Sequence, residues 1–244
     1  MTITDKFDKK TLAENFLNYF SVQIADTPQL RKQAYRIRYR TYCEEFGYED
    51  STCFLDGMEY DEYDDDALHF LITHRSGIPA ACVRIISTKK EEEPLPFEKH
   101  CGEAIERQLV KMLAPDRSKM CEISRLTVDK TFRRHKEIAE IEAKREERRT
   151  FPFIAIAAFF GATAITELSG RTKVFAMMEA FLPRLMKRSG IMFEKVGRDI
   201  AYHGIRAPHF IHTQHAIDNM KPELRGLYEG IYAQLSVHFK KIVS

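Results

Sequence analysis

The chain has 244 residues, 44% hydrophobic and 30% charged, which is enough to bury a sizeable core. Its 38 Lys and Arg nearly balance 36 Asp and Glu, and a formal net charge of +2 argues against a protein dominated by nucleic-acid binding while leaving room for a local basic patch. Five cysteines (Cys43, Cys53, Cys82, Cys101, Cys121) are odd in number and lack the close pairing of zinc or redox motifs, so they are expected as free, mostly buried thiols in the reducing cytoplasm.

The N-terminal run MTITDKFDKKTLAENF mixes charges and has no apolar stretch of signal-peptide length. Leu12, Phe16, Leu17 and Phe20 fall at helical spacing, and SVQIAD reads as a short strand. Thr27-Pro28 is a helix start, and the helix is expected to run to Gly47. Residues 48–66 are acidic, aromatic and turn-rich, too polar for a core element. ALHFLITH and AACVRIIST, separated by Ser76-Gly77, predict an antiparallel hairpin. A short helix is expected around FEKHCGEAIERQLV, and CEISRLTV reads as another strand.

A charged insertion covers about 130–150. The apolar run that follows contains Pro152, Gly161 and Thr163 and falls short of the roughly 20 residues of a membrane span, which predicts a core helix over 152–168 and no integral membrane segment. A strand over Lys173–Met178, a helix FLPRLMKRSG closed by its glycine, strand and loop over 191–213, and an amphipathic helix from Pro222 complete the order. The pattern predicts one α/β domain over 1–244, a sheet with helices on its faces.

Two features carry chemistry. GMEYDEYDDD packs Glu59, Asp61, Glu62, Asp64, Asp65 and Asp66 so densely that any ordered members need compensation. Alternation directs Glu59, Asp61 and Asp64 to one site; a solvated acidic loop is the competing reading, and the EF-hand spacing is not matched. Arg84 and Arg125 each interrupt an apolar strand, where a charge is costly unless paired, and arginine pairs carboxylates bidentately. Arg38 shares a helix face with Tyr42 at i+4.

The ordered set AYRIRYRTY, EFGY, GMEYDEYD, CVRI, PFEKHC and CEISR resembles the acyl-homoserine-lactone (autoinducer) synthases over roughly residues 30–130. The family's Arg, Phe and Trp correspond to Arg38, Tyr42 and Tyr48, and its acidic triplet to Glu59, Asp61 and Asp64. Its strand Arg falls on Arg84, its later Phe on Phe97, and its final Glu-x-x-Arg on Glu122 and Arg125. The chain is also similar to the long-chain N-acyl amino acid synthases and, in EISRLTVDKTFRR, to the acyltransferases of exosortase and PEP-CTERM sorting systems. The resemblance implies the GNAT fold: a mixed, mostly antiparallel central sheet with a splayed strand pair and helices on both faces.

It further implies an N-acyltransferase moving a long-chain fatty acyl group from an acyl carrier protein thioester to the amine of an amino acid or related acceptor, by direct attack. The alternative is an acyl-homoserine-lactone synthase using S-adenosylmethionine. Tyrosines at positions 42 and 48 depart from the autoinducer pattern, and FRRHKEIAE lacks the glycine-rich loop that binds coenzyme A pyrophosphate, which favours acyl carrier protein as donor. No cofactor is expected beyond the acyl-phosphopantetheine thioester of the donor.

Under this reading Glu122 is the catalytic base, with Arg125 beside it; a structural Glu122–Arg125 salt bridge is the alternative. The superfamily resemblance implies a backbone N–H near 124–128 for the oxyanion. Arg38, Tyr42, Tyr48, Glu59, Asp61, Asp64, Arg84 and Phe97 are expected on the acceptor side, the three aromatics lining the pocket or serving as plain core. Apolar residues of helix 152–168 and of KVFAMM line an acyl tunnel or pack as ordinary core. Arg133 and Arg134 are candidate docking residues for the acidic carrier protein. His203, His209, His212 and His215 form no metal motif.

Overall fold

The computed structural model describes residues 11–88, 93–133 and 145–243. Helix α1 (Leu12–Tyr19) starts at a capping box in which Thr11 and Glu14 satisfy each other's backbone, and it leads directly into β1 (Phe20–Ile24). Thr27 caps α2 (Pro28–Tyr39). The helix does not run on to Gly47 as one α-helix: Arg40–Glu45 widens into a π-helical turn, a form concentrated at functional sites.

Strands β2 (Leu68–His74) and β3 (Pro79–Ser87) form the hairpin expected from the sequence, turned at Gly77 with φ of 86°. Short helices α3 (Pro96–His100) and α4 (Arg107–Leu113) precede β4 (Met120–Val128). After α5 (Lys130–Arg133) and α6 (Arg145–Arg148) comes the apolar helix α7 (Ile154–Leu168). The rest is β5 (Lys173–Glu179), α8 (Phe181–Arg188), β6 (Glu194–Lys195), β7 (Ile200–Ala201), β8 (Ile205–His212), α9 (Thr213–Asp218) and α10 (Pro222–Val243).

Among the described residues the eight strands form one sheet ordered β1-β2-β3-β4-β5-β8-β6, with β7 also on β8. Every pairing is antiparallel except β4–β5, because α7 carries the chain between those two strands as a crossover. One face of the sheet packs on α1, α7 and α10 around a core that includes Phe16, Phe70, Ile123, Phe160 and Leu235. The opposite face carries α2, the loop over 48–66 and α3–α4, with a smaller core of Phe97, Phe175, Val196 and Phe210.

From Ile154 to Thr166, α7 is buried at every residue but Ala155. The expectation of an apolar run too short for a membrane span does not hold on length. Together with the turns before it, Glu146–Leu168 is 23 residues and by length and composition alone sufficient to cross one, but 72% of its apolar stretch is buried in the fold. Gly161 lets it approach the sheet: a Cβ there would lie 2.3 Å from the Phe70 ring.

The parallel pair is short. Met120, Cys121 and Glu122 pair with Lys173, Val174 and Phe175, and beyond them β4 and β5 diverge, β5 continuing to Glu179 on β8 alone. On its other side β4 carries an extra residue. The register with β3 passes from Cys82–Thr127 to Arg84–Ser124, which takes Arg125 and Leu126 out of the ladder, and Arg125 has φ of 53°. This is a β-bulge, a device that re-aims side chains at sites. The splayed strand pair that the resemblance implies is therefore present, and it opens next to the bulge.

Candidate active site

The loop over 48–66 is solvated at Asp50, Asp56, Glu62, Asp65 and Asp66, but not throughout as its polarity would suggest. Glu59 (1% exposed) and Asp64 (2%) are buried because three arginines from three elements meet them. Arg38, from α2 and 1% exposed, donates through Nε to Glu59 at 2.5 Å and through Nη1 and Nη2 to both Asp64 oxygens at 2.6 and 2.9 Å. Arg84, from β3, donates to Asp61 (2.6 Å), Asp64 (3.0 Å) and the Ser124 hydroxyl (3.0 Å). Arg125, aimed by the bulge, donates to Glu59 (3.1 Å), Glu49 (3.0 Å) and, at 3.4 Å, Asp61, with its guanidinium 5.2 Å from the centre of the Tyr42 ring.

Burial opposes ionisation of Glu59 and Asp64, but Arg38 together with Arg125 and Arg84 outweighs it and holds both carboxyls below their usual range. His69, behind Asp64, is pushed down to about 4 by burial and stays neutral.

A cavity of about 320 Å³ opens where β4 and β5 part. Towards the acidic loop its wall is polar: Asp61, Arg84, Glu122, Ser124, Arg125, Glu179 and Arg206, with Tyr42, Tyr48, Tyr63 and Tyr202. On the helical face it is apolar, lined by Ile123, Leu126, Ala155, Phe159, Met178, Leu182 and Leu185. The splay joins the two chambers through the sheet.

Glu122 stands at the joint. It is the last residue of β4 to pair with β5, it is 4% exposed, and its Oε2 accepts the Phe97 backbone N–H at 2.8 Å. Burial raises its carboxyl to about 7, the Phe97 N–H and the arginines only partly offsetting this. The Glu122–Arg125 salt bridge considered from the sequence is not made; Arg125 is turned to Glu59, Glu49 and Asp61 instead.

Tyr42, Tyr48, Asp61, Arg84, Glu122 and Arg125 line the cavity, whereas Arg38, Glu59 and Asp64 form the layer behind it. Of the two roles expected for Phe97, pocket wall or plain core, the structure gives it the core one. Its ring stacks on Phe175 at 5.0 Å in the smaller core and is not part of the wall; its backbone N–H, holding Glu122, is what reaches the site. Arg133 stands at the rim on the helical side, tied to Glu45, to the Val128 carbonyl at 2.7 Å and over the Phe46 ring, while Arg134 lies outside the described residues.

Of the apolar residues assigned to a tunnel or to core, Ala155, Phe159, Ala176, Met177 and Met178 reach the cavity and the others pack as core. Among the described residues no group of His, Cys, Asp or Glu is arranged to hold a metal, and all five cysteines are free thiols, Cys53 alone exposed.

Sequence reasoning missed Glu179, Tyr202, Arg206, Leu182 and Leu185. Arg206 had a signal, a charge within the strand IRAPHFIH, of the same kind that exposed Arg84 and Arg125. The others come from strand and helix ends whose meeting depends on the fold.

Residues 37–141 match the family model described as an acetyltransferase (GNAT) domain. No curated protein matches the chain by sequence. Among solved structures the fold is similar to the AHL synthase LasI, at 16% identity and a TM-score of 0.59, covering 87% of this chain and 96% of that one. It is similar to the CoA-dependent acyl-homoserine lactone synthase MesI, at 15% identity and 0.56, covering 87% and 95%. It is similar also to FeeM, an N-acyl amino acid synthase from uncultured soil microbes, at 16% identity and 0.54, covering 82% and 94%.

Proposed function

We propose that this GNAT-fold chain is an N-acyltransferase that moves a long-chain fatty acyl group from an acyl carrier protein thioester to the amine of an amino acid or related acceptor. The observation that carries the reading is Glu122: a carboxylate buried at the splay between a polar and an apolar chamber, with a proton affinity near neutrality. A base is most effective when its pKa lies close to the working pH.

The thioester carbonyl sits at the splay with its acyl chain in the apolar chamber against Ala155, Phe159 and Leu182. The acceptor amine enters from the polar chamber and attacks the carbonyl carbon as Glu122 takes its proton. The C–N bond forms, the C–S bond breaks, and the pantetheine sulfur leaves and is protonated to the free thiol. Backbone N–H groups of β4 beyond Glu122, released from β5 by the splay and from β3 by the bulge, are the donors for the oxyanion. Arg84 and Arg125 in the wall and Arg38 one layer back neutralise the acidic loop and set the polar wall. The absence of a glycine-rich loop in FRRHKEIAE supports acyl carrier protein as donor, and Arg133 on the cavity wall is the candidate contact for its acidic surface, reached by exchange of its pairing with Glu45.

Incubating the enzyme with long-chain acyl–acyl carrier protein or acyl–coenzyme A, and with pooled amino acids or S-adenosylmethionine, separates donor and acceptor by the mass of the product. Glu122→Gln is expected to lower kcat by about 10²–10⁴-fold in a folded protein. Full turnover by that variant would remove the base assignment, and lactone formation from S-adenosylmethionine alone would replace the amino acid acceptor.

A further inference from the structure

Four arginines line the cavity: Arg84, Arg125, Arg133 and Arg206. The first two are held by the acidic loop at 2.6–3.4 Å, and Arg133 is bound to Glu45 and the Val128 carbonyl. Arg206 is different. Its Nε donates to the His203 carbonyl at 2.9 Å, which fixes the guanidinium plane, and its Cζ lies 5.7 Å from the centre of the Tyr48 ring. Its carboxylate contact is one nitrogen, Nη2, to Glu179 Oε1 at a long 3.3 Å, and the Tyr48 hydroxyl shares that oxygen at 3.4 Å. Nη1 takes part in none of these contacts. A guanidinium held in place on one edge and loosely paired on the other is suited to a carboxylate arriving from the cavity.

Its position fits the acceptor chamber. Arg206 follows the tight β7–β8 turn, where His203 (φ 47°) and Gly204 (φ 91°) are left-handed and bring Tyr202 into the wall. Arg206, Tyr202 and Glu122 all line the same cavity, on its polar side.

We infer that Arg206 receives the α-carboxylate of the acceptor, with Tyr48 and Tyr202 as the subsite walls, so that the enzyme acylates α-amino carboxylates and discriminates against amines without that group. The inference rests on the acyltransferase reading. Anchored there, an amino acid presents its amine inside the chamber onto which Glu122 opens, and Glu179 exchanges its long contact for solvent or the acceptor's ammonium.

The test uses the full chain with long-chain acyl–acyl carrier protein, and the standard α-amino acids each paired with its carboxamide. Wild type is expected to prefer the acid, and Arg206→Met to raise KM for the acid roughly 10- to 100-fold with little change in kcat and none in KM for the amide. Arg206→Lys is expected to restore part of the loss. Calorimetric titration of the same amino acids gives a readout independent of turnover: binding to wild type, and its loss in Arg206→Met. An unchanged acid-to-amide ratio in Arg206→Met, or equal titration of the two proteins, overturns the inference. Titration by wild type with no acyl transfer from any thioester instead overturns the acyltransferase reading and leaves the carboxylate site standing.

Discussion

At the scale of single residues, Glu122 sets function against stability. Its folded-state carboxyl is raised from an ordinary 4.5 to about 7, so between those values the folded chain binds more protons than the unfolded one. Stability therefore falls as pH rises through this window, and above it the desolvated charge costs up to about 3 kcal/mol. Glu122→Gln is expected to unfold at higher urea than wild type near pH 8, with the advantage gone near pH 4, while turnover collapses at both. In wild type the same group should make kcat/KM rise with pH to a plateau, with an apparent pKa near 7. A flat profile, or a Gln variant no more stable at about pH 8, would contradict its desolvation. Glu122 was legible only through the resemblance of CEISR to the autoinducer synthases' Glu-x-x-Arg, and its partner was not legible at all. The bulge that turns Arg125 away depends on the pairing of two strands and leaves no local mark, so a three-residue spacing looked like a salt bridge.

At the scale of elements, helix α7 is where two opposing effects on glycine can be weighed. In a solvated helix Gly161→Ala stabilises by about 0.5–1 kcal/mol through backbone entropy. Here the added methyl meets the Phe70 ring at 2.3 Å, in a core with no slack, and overpacking of this kind costs about 1–3 kcal/mol. The clash wins, and Gly161→Ala should lower the melting temperature; a rise would mean that helix and sheet separate freely.

The same helix shapes the apolar chamber through Ala155 and Phe159, one turn apart. Ala155→Phe is expected to shorten the longest acyl chain accepted and to spare turnover of short ones, measured over a ladder of acyl thioesters. Equal loss at every length would place the acyl chain elsewhere. Helices α1, α2, α7, α8 and α10 and the β2–β3 hairpin were readable from period and turn residues, whereas α3 and α4 were read as one helix and α9 was not foreseen. The helix expected to reach Gly47 was misjudged because a π-turn keeps helical composition while changing the hydrogen-bond step.

At the scale of the molecule, the acidic loop and the sheet are joined by one buried charge network, and its order is what gives the polar chamber a wall. Three arginines from α2, β3 and β4 converge on carboxylates of a loop that composition alone marks as solvent-facing. Local patterning placed the charges at the right positions, and their burial follows only from the tertiary meeting of those elements.

Arg38→Met tests the network without touching the cavity wall. Removing one partner leaves Glu59 and Asp64 buried with less compensation, a loss of about 3–5 kcal/mol. Both carboxyls are held below their ordinary values in the folded chain, so the stability they contribute is present above about pH 5 and is lost as pH falls through their folded-state values. The deficit of Arg38→Met should accordingly be largest near neutral pH and shrink on acidification, as the stranded carboxyls protonate. High salt should change it little, because the pairs lie out of reach of counterions. Urea unfolding of both proteins at neutral and acid pH, with and without added salt, reads all three. A deficit that grew on acidification, or vanished in salt, would mean that the network is a surface feature and that the polar chamber is ordered by something else.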